Sequence, residues 1–155
     1  MECVRKAFPV NGIRICVDEY DEQDLSGRIY SKLLPHPLFF RNCGELLLKA
    51  DSMFDETGYP QAFQCKRTFS EGKALGNYCV RPVLFLSDSD IFHQEGKRST
   101  FDVIVRTRQH AGWQGCIRSV SDNEEMKEFR SELEMLRKLI LDQIETGRQP
   151  QNKRR

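Results

Sequence analysis

Phe101-Asp102-Val103-Ile104-Val105, followed after a polar tip by Gln114-Gly115-Cys116-Ile117-Arg118, decides the fold, because it repeats the pattern of Ile13-Arg14-Ile15-Cys16-Val17 and Ser26-Gly27-Arg28-Ile29-Tyr30. In each half, apolar residues alternate with polar or small ones, the period of a strand buried on one side. A helical run follows each time, Glu45-Leu46-Leu47-Leu48 in the first half and Glu132-Leu133-Glu134-Met135-Leu136 in the second. One hairpin with one helix cannot bury its own apolar face, whereas two such units side by side share a core. The pattern therefore predicts a duplicated strand-strand-helix unit.

Around these hairpins the other elements fall into place. Asn11-Gly12 is a turn-prone pair ahead of the first strand, and the acidic stretch 18–24 joins it to a second strand over Gly27–Ser31. Pro35 and Pro37 end that hairpin. A helix is expected from about Asn42 to Asp55, with Leu46, Leu47, Ala50, Met53 and Phe54 on one stripe and Gly58 and Pro60 closing it. A third strand is expected over Ala62–Phe69, although Arg67 breaks its apolar face. Residues 70–100 read as an insertion between the halves, with Val83-Leu84-Phe85-Leu86 as an extra edge strand and Asp88-Ser89-Asp90 as a turn. The second hairpin, Phe101–Val120, carries the only tryptophan, Trp113, at its tip. Ser121 stands three residues before Glu124, a capping-box spacing, ahead of a helix whose stripe would be Met126, Phe129, Leu133, Leu136, Ile140 and Ile144. Thr146-Gly147 ends it and Pro150 prevents its resumption.

The fold class expected from this order is α+β, a two-layer sandwich in which two helices cover one face of a mainly antiparallel five-stranded sheet. A single domain is expected over residues 1–147, followed by a basic, disordered tail over 148–155. The tail concentrates charge: the chain has 24 basic and 23 acidic side chains, and Arg148, Lys153, Arg154 and Arg155 lie in a final stretch without acids, so the body is net acidic. Six scattered cysteines show neither a C-x-x-C pair nor a compact disulfide framework, and they read as reduced side chains in or beside the core. No apolar run reaches 18 residues, and the first residues lack the apolar stretch of a signal peptide, so a cytoplasmic protein with no membrane partner is expected.

Strict alternation sends Arg14, Arg28, Tyr30, Asp102, Arg106, Arg108 and Arg118 to the sheet face away from the helices, joined by Gln64 and Lys66 if Phe63 and Cys65 face inward. An arginine-rich face with aromatic residues suits a phosphate or carboxylate partner, since guanidinium groups make planar, bidentate contacts. It equally suits a homodimer or protein interface. Trp113 either folds back over the core edge or stands out as a binding anchor. Catalytic signals are thin: His36, His93 and His110 have no metal-ligand spacing, and there is no phosphate-cradling glycine loop, G-x-S-x-G elbow or H-E-x-x-H. The reading is a non-catalytic interaction module that binds a protein partner or itself, with no cofactor and no metal. The alternative is a nucleic-acid or nucleotide binder using the same face.

Leu25-Ser26-Gly27-Arg28-Ile29-Tyr30, Pro60-Gln61-Ala62-Phe63, Arg108-Gln109 with Ala111 and Trp113-Gln114-Gly115, and Phe129-Arg130-Ser131-Glu132-Leu133 together resemble a small, uncharacterised family of proteins from anaerobic Gram-positive bacteria. The family has asparagine and serine where this chain has His110 and Gly112. The resemblance implies no activity, and it singles out Arg108, Gln109, Trp113 and Gln114 as binding candidates beside the arginines.

Overall fold

A computed structural model describes residues 7–21, 24–58, 83–108, 112–120 and 125–148. Six antiparallel strands form one open-edged sheet: β1 (Gly12–Asp21), β2 (Asp24–Tyr30), β3 (Leu38–Phe40), β4 (Ser99–Thr107), β5 (Gln114–Ser119) and β6 (Lys127–Phe129). Their spatial order is β3-β2-β1-β4-β5-β6, so the two hairpins lie side by side and meet through β1 and β4. Three helices complete the described residues: α1 (Cys43–Thr57), α2 (Asp88–Phe92) and α3 (Glu132–Arg148). The architecture is α+β, and the described residues alone hold six strands and three helices where five strands and two helices were expected.

The core is a single cluster on one side of the sheet. Ile13, Ile15 and Val17 from β1, Leu25 and Ile29 from β2, Phe101, Val103 and Val105 from β4 and Ile117 from β5 pack against Leu46, Ala50, Met53 and Phe54 of α1 and Met135 and Leu139 of α3. Ile13, Ile15, Val17, Ile29, Phe101, Val103, Val105 and Ile117 thus face the helices as their alternation predicts, because a period of two with one buried face leaves no freedom of register, and Leu25 joins them.

Each long helix starts where a side chain satisfies its first free N–H groups. At α1, Glu45 N–H donates to Asn42 Oδ1 at 2.8 Å, and the Glu45 carboxylate accepts from Arg41 N–H at 2.9 Å. Gly58, at φ 66°, ends the helix in the left-handed region that glycine enters without a Cβ penalty. At α3, Glu134 N–H donates to Ser131 Oγ at 3.2 Å, and the Glu134 carboxylate accepts from Arg130 N–H at 3.1 Å. The helix therefore starts ten residues later than the Ser121 to Glu124 spacing suggested. Phe129 sits in β6, opposite Gly115, and its helical spacing to Leu133 is coincidental. The stripe shifts accordingly: Met135, Leu139 and Gln143 are buried, whereas Leu133 is 60% exposed.

The expected strand over Ala62–Phe69 lies outside the described residues, as do Gln64, Lys66, Gln109, His110 and residues 149–155 of the basic tail, whereas Arg148 closes α3, which runs past the stop expected at Thr146-Gly147. Within the expected insertion, residues 83–87 form no strand, Asp88–Phe92 is a helix rather than a turn, and Ser99 and Thr100 already belong to β4. Ser87 and Asp90 explain the helix: Asp90 N–H donates to Ser87 Oγ and Ser87 N–H to Asp90 Oδ2, a capping box in which the acids of the first turn also face the positive helix end.

Candidate functional site

The sheet face opposite the long helices is not bare, which corrects the main expectation. Residues 88–97 cross it as a strap, held by contacts to Arg14, Arg28 and Asp18. Arg14 does lie on that face, but it is only 3% exposed. Its Nε and Nη2 donate to the two carboxylate oxygens of Asp102 at 2.8 and 2.9 Å, and its Nη1 donates to the carbonyls of Ile91, Phe92 and Gln94 at the end of α2. The last carbonyls of a short helix have no intrahelical partners, so a guanidinium is the group that suits them. Arg118 adds a 3.2 Å contact from its Nη2 to Asp102. Arg28 donates to Asp18, to Tyr30 Oη at 2.8 Å and to the carbonyl of Glu95 at 2.8 Å. Burial works against ionisation of Asp18, but hydrogen bonds from Arg28 and from Lys97 N–H outweigh it and hold the carboxyl below its ordinary range. Arg106, exposed, pairs with Glu128. The arginines of this face are committed to acids and carbonyls of the chain itself.

Arg108 and Trp113 do not belong to that face at all. Val105 pairs with Gly115 but Thr107 pairs with Gln114, so β4 carries one residue more than β5 at this point. That extra residue reverses the alternation, and Arg108 turns to the helix side. It is 4% exposed and donates through Nη2 to Asp51 Oδ1 at 3.0 Å and to Asp55 Oδ1 at 2.5 Å. Trp113 is fully buried, stands edge-on to Phe54 with ring centroids 5.5 Å apart, and donates its indole N–H to the same Asp51 oxygen at 3.0 Å. An indole packed this way is a core group with its one polar atom satisfied. Of the two readings of Trp113, the one in which it folds back over the core edge is correct. Gln114, partly buried, accepts from Thr107 Oγ1 at 2.8 Å and donates to the Arg130 carbonyl.

The predicted residues thus separate into three groups: Arg14 and Arg118 meet on Asp102, Arg28 meets Tyr30, and Arg108 and Trp113 meet on Asp51 behind the sheet. Arg106 stands apart.

Where the two long helices face each other above Trp113, the surface opens into a groove of about 370 Å³ lined by Leu47, Leu48 and Asp51 of α1, Trp113, and Glu132, Leu133 and Leu136 of α3. Leu48 is 70% and Leu133 is 60% exposed, so the groove carries apolar area that the fold itself does not bury. Its size falls at the lower end of ligand-binding clefts, and its lining is five apolar side chains and two carboxylates. Sequence reasoning missed Leu48 and counted Leu133 as core. A signal was present: in Leu46-Leu47-Leu48, three consecutive leucines cannot all face one side of a helix, so one had to be left outside.

A second, smaller cavity of about 130 Å³ lies between α3 and the β4–β5 edge, with Lys127, Lys138, Asp142 and Glu145 around an apolar floor. Among the described residues no group of three His, Cys, Asp or Glu side chains is placed to hold a metal ion, and no helix is long and apolar enough to cross a membrane.

No family model matches the chain, and no curated protein and no solved structure matches it either.

Proposed function

We propose that this chain is a non-catalytic interaction module of the cytoplasm that takes a segment of a protein partner in the groove between α1 and α3. The observation that carries the reading is the pair of leucines, Leu48 and Leu133, standing exposed on either wall above a buried tryptophan. Keeping two large aliphatic side chains in water forgoes roughly 1.5–3 kcal/mol each relative to burying them, a cost that an interface recovers. This reading relocates the contact from the arginine face to the helical layer, with Trp113 as the floor rather than as a projecting anchor.

The nucleic-acid alternative has less support. Of its intended phosphate contacts, Arg14 is spent on Asp102 and α2, Arg108 on Asp51 and Asp55, and the remaining arginines are each within reach of an acid.

We also propose that the two halves are copies of one ancestral unit, now strand-strand-strand-helix. The support is a set of matched details: Phe40-Arg41-Asn42 and Phe129-Arg130-Ser131 enter the long helices with the same reciprocal cap to Glu45 and Glu134. Lys49 and Lys138 both reach back to a carbonyl of the preceding strand, at Phe39 and Glu128. The family resemblance carried by Arg108, Trp113 and Gln114 fits this proposal as a structural signature, since these residues join the second hairpin to its surroundings.

A photo-crosslinking amino acid placed at position 48 or 133, in cells that make the protein, is expected to trap a discrete protein adduct, while the same probe at Glu128 is not. Adducts at 128 with none at 48 or 133 would return the contact to the arginine side and overturn the proposal.

A further inference from the structure

The groove constrains its occupant more than its apolar lining alone suggests. Both walls are α-helices: Leu47, Leu48 and Asp51 lie in mid-helix of α1, where backbone groups are already paired, and on the α3 side only the first-turn N–H groups of Glu132 and Leu133 stand outside the helical ladder, so among the described residues the groove offers no strand edge. A segment entering in extended form would bring a row of backbone donors and acceptors with nothing to receive them. A helical segment brings none, because its own ladder satisfies them, and it presents apolar side chains at i, i+3 or i+4, and i+7 to an apolar cleft.

The charged side chains that line the groove share one sign, although the first turn of α3 adds positive partial charge from its backbone on that wall. Asp51 and Glu132 line it, no cation does among the described residues, and Asp55 follows one turn further along α1. The last turn of α1 carries no basic side chain, so Asp55 and Glu56 stand at the helix end where backbone carbonyls already make the potential negative. Arg108 offsets part of this from beneath, but it is buried and divided between Asp51 and Asp55. A second copy of the chain would bring these same acidic rims against each other.

Resting on the groove reading above, we infer that the occupant is an amphipathic helix of a protein partner whose apolar face is flanked by lysine or arginine. Its apolar residues lie on Leu47, Leu48, Leu133 and Leu136 above Trp113, and its cations meet Asp55 and Glu132.

A random 16-residue peptide library displayed on phage, selected on the immobilised full-length chain, tests this. The consensus peptide is then synthesised without tryptophan and titrated while the emission of Trp113, the only tryptophan of the chain, is followed. The expected consensus has apolar residues at helical spacing with lysine or arginine beside them. Replacing those cations by glutamate is expected to weaken binding at least tenfold, Glu132→Gln to weaken it severalfold, and Leu48→Ser with Leu133→Ser to abolish it. Enriched peptides that lack basic residues yet lose binding in the double leucine variant overturn the basic helix while leaving the groove as the site. Peptides indifferent to the double leucine variant, or no enrichment at all, overturn both readings. A concentration-dependent dimer in light scattering that the double leucine variant abolishes assigns the groove to a second copy and overturns the inference.

Discussion

At Arg108 one guanidinium serves two carboxylates of α1 while the Trp113 indole shares one of them, so hairpin and helix are joined through four side chains. Arg108→Met is expected to cost about 2 kcal/mol, since it removes hydrogen bonds between charged groups and leaves Asp51 and Asp55 facing each other. Thermal unfolding should show a midpoint lower by roughly 4–8 °C, and Trp113 emission should shift to the red as its surroundings loosen. Cys16 makes a different prediction. It is completely buried, and burial pushes its thiol from the ordinary 9.0 up to about 11, against the opposing pull of Arg28 and Arg14. In the unfolded chain the thiol loses its proton near pH 9, whereas in the folded chain it keeps it until about pH 11, so stability falls as pH rises through that window, by on the order of 2 kcal/mol. Denaturation at pH 8 and pH 10.5 should show this loss in the native chain and a smaller one in Cys16→Ala; equal losses in both would remove Cys16 as its source. Side-chain direction at single positions was legible wherever alternation runs unbroken, as at Ile13, Arg14 and Val103. It failed at Arg108 because one additional residue in the strand reverses the alternation, and nothing in the residue types around Arg106 and Thr107 announces that residue.

Two glycines show what the elements demand of the chain. A Cβ on Gly27 would lie 1.9 Å from the carbonyl oxygen of Cys16, and one on Gly115 would lie 1.8 Å from that of Ile104. Both obstacles are backbone of the neighbouring strand, and in each hairpin the register shifts just beyond, after Val17 and after Val105. Gly27→Ala and Gly115→Ala are therefore each expected to destabilise the chain by about 3 kcal/mol, the upper end of ordinary single substitutions, because a pair of strands must separate to admit the methyl. Urea titrations should show lower midpoints with unchanged slopes. The hairpins and α1 were legible as elements, because alternation, the Asn42 cap and the Gly58 stop are all local signals. The three-residue strands Leu38–Phe40 and Lys127–Phe129 were not, since so short a segment has no periodicity of its own and is defined only by the neighbour it pairs with. The strap was read as an insertion with a turn because its role depends on Arg14, which lies more than seventy residues away in sequence. The groove was hidden for the same kind of reason: Leu133 fits the helical stripe by spacing, and only the true start of α3 turns it outward.

Across the whole molecule, the ion pair of Arg14 and Asp102 ties the central strands to the strap that crosses them. Arg14→Met leaves Asp102 buried with only Arg118 and removes the guanidinium from the carbonyls of Ile91, Phe92 and Gln94, of which Ile91 keeps the Gln94 N–H, and is expected to cost about 3–5 kcal/mol. Hydrogen exchange should quicken at residues 91–94 relative to the other strap amides. Adding Asp102→Leu should recover part of the loss, since an apolar pair carries no desolvation penalty; no recovery would show that the strap depends on Asp102 itself. By contrast, Leu48→Glu with Leu133→Glu should change stability by less than about 0.5 kcal/mol per site, as expected for exposed positions outside the core, and a larger loss would mean that these leucines hold the fold. The overall plan was legible to the level of α+β with long helices on one side, because the greasy side of each strand is written in its period. The second covering layer was not. Among the described residues, finally, the sheet is bordered at both ends by strands of only three residues, β3 and β6. Such brief selvedges offer a stray polypeptide too few rungs to knit onto, so filaments of this protein would have to grow from unfolded chains rather than by stacking intact molecules side to side.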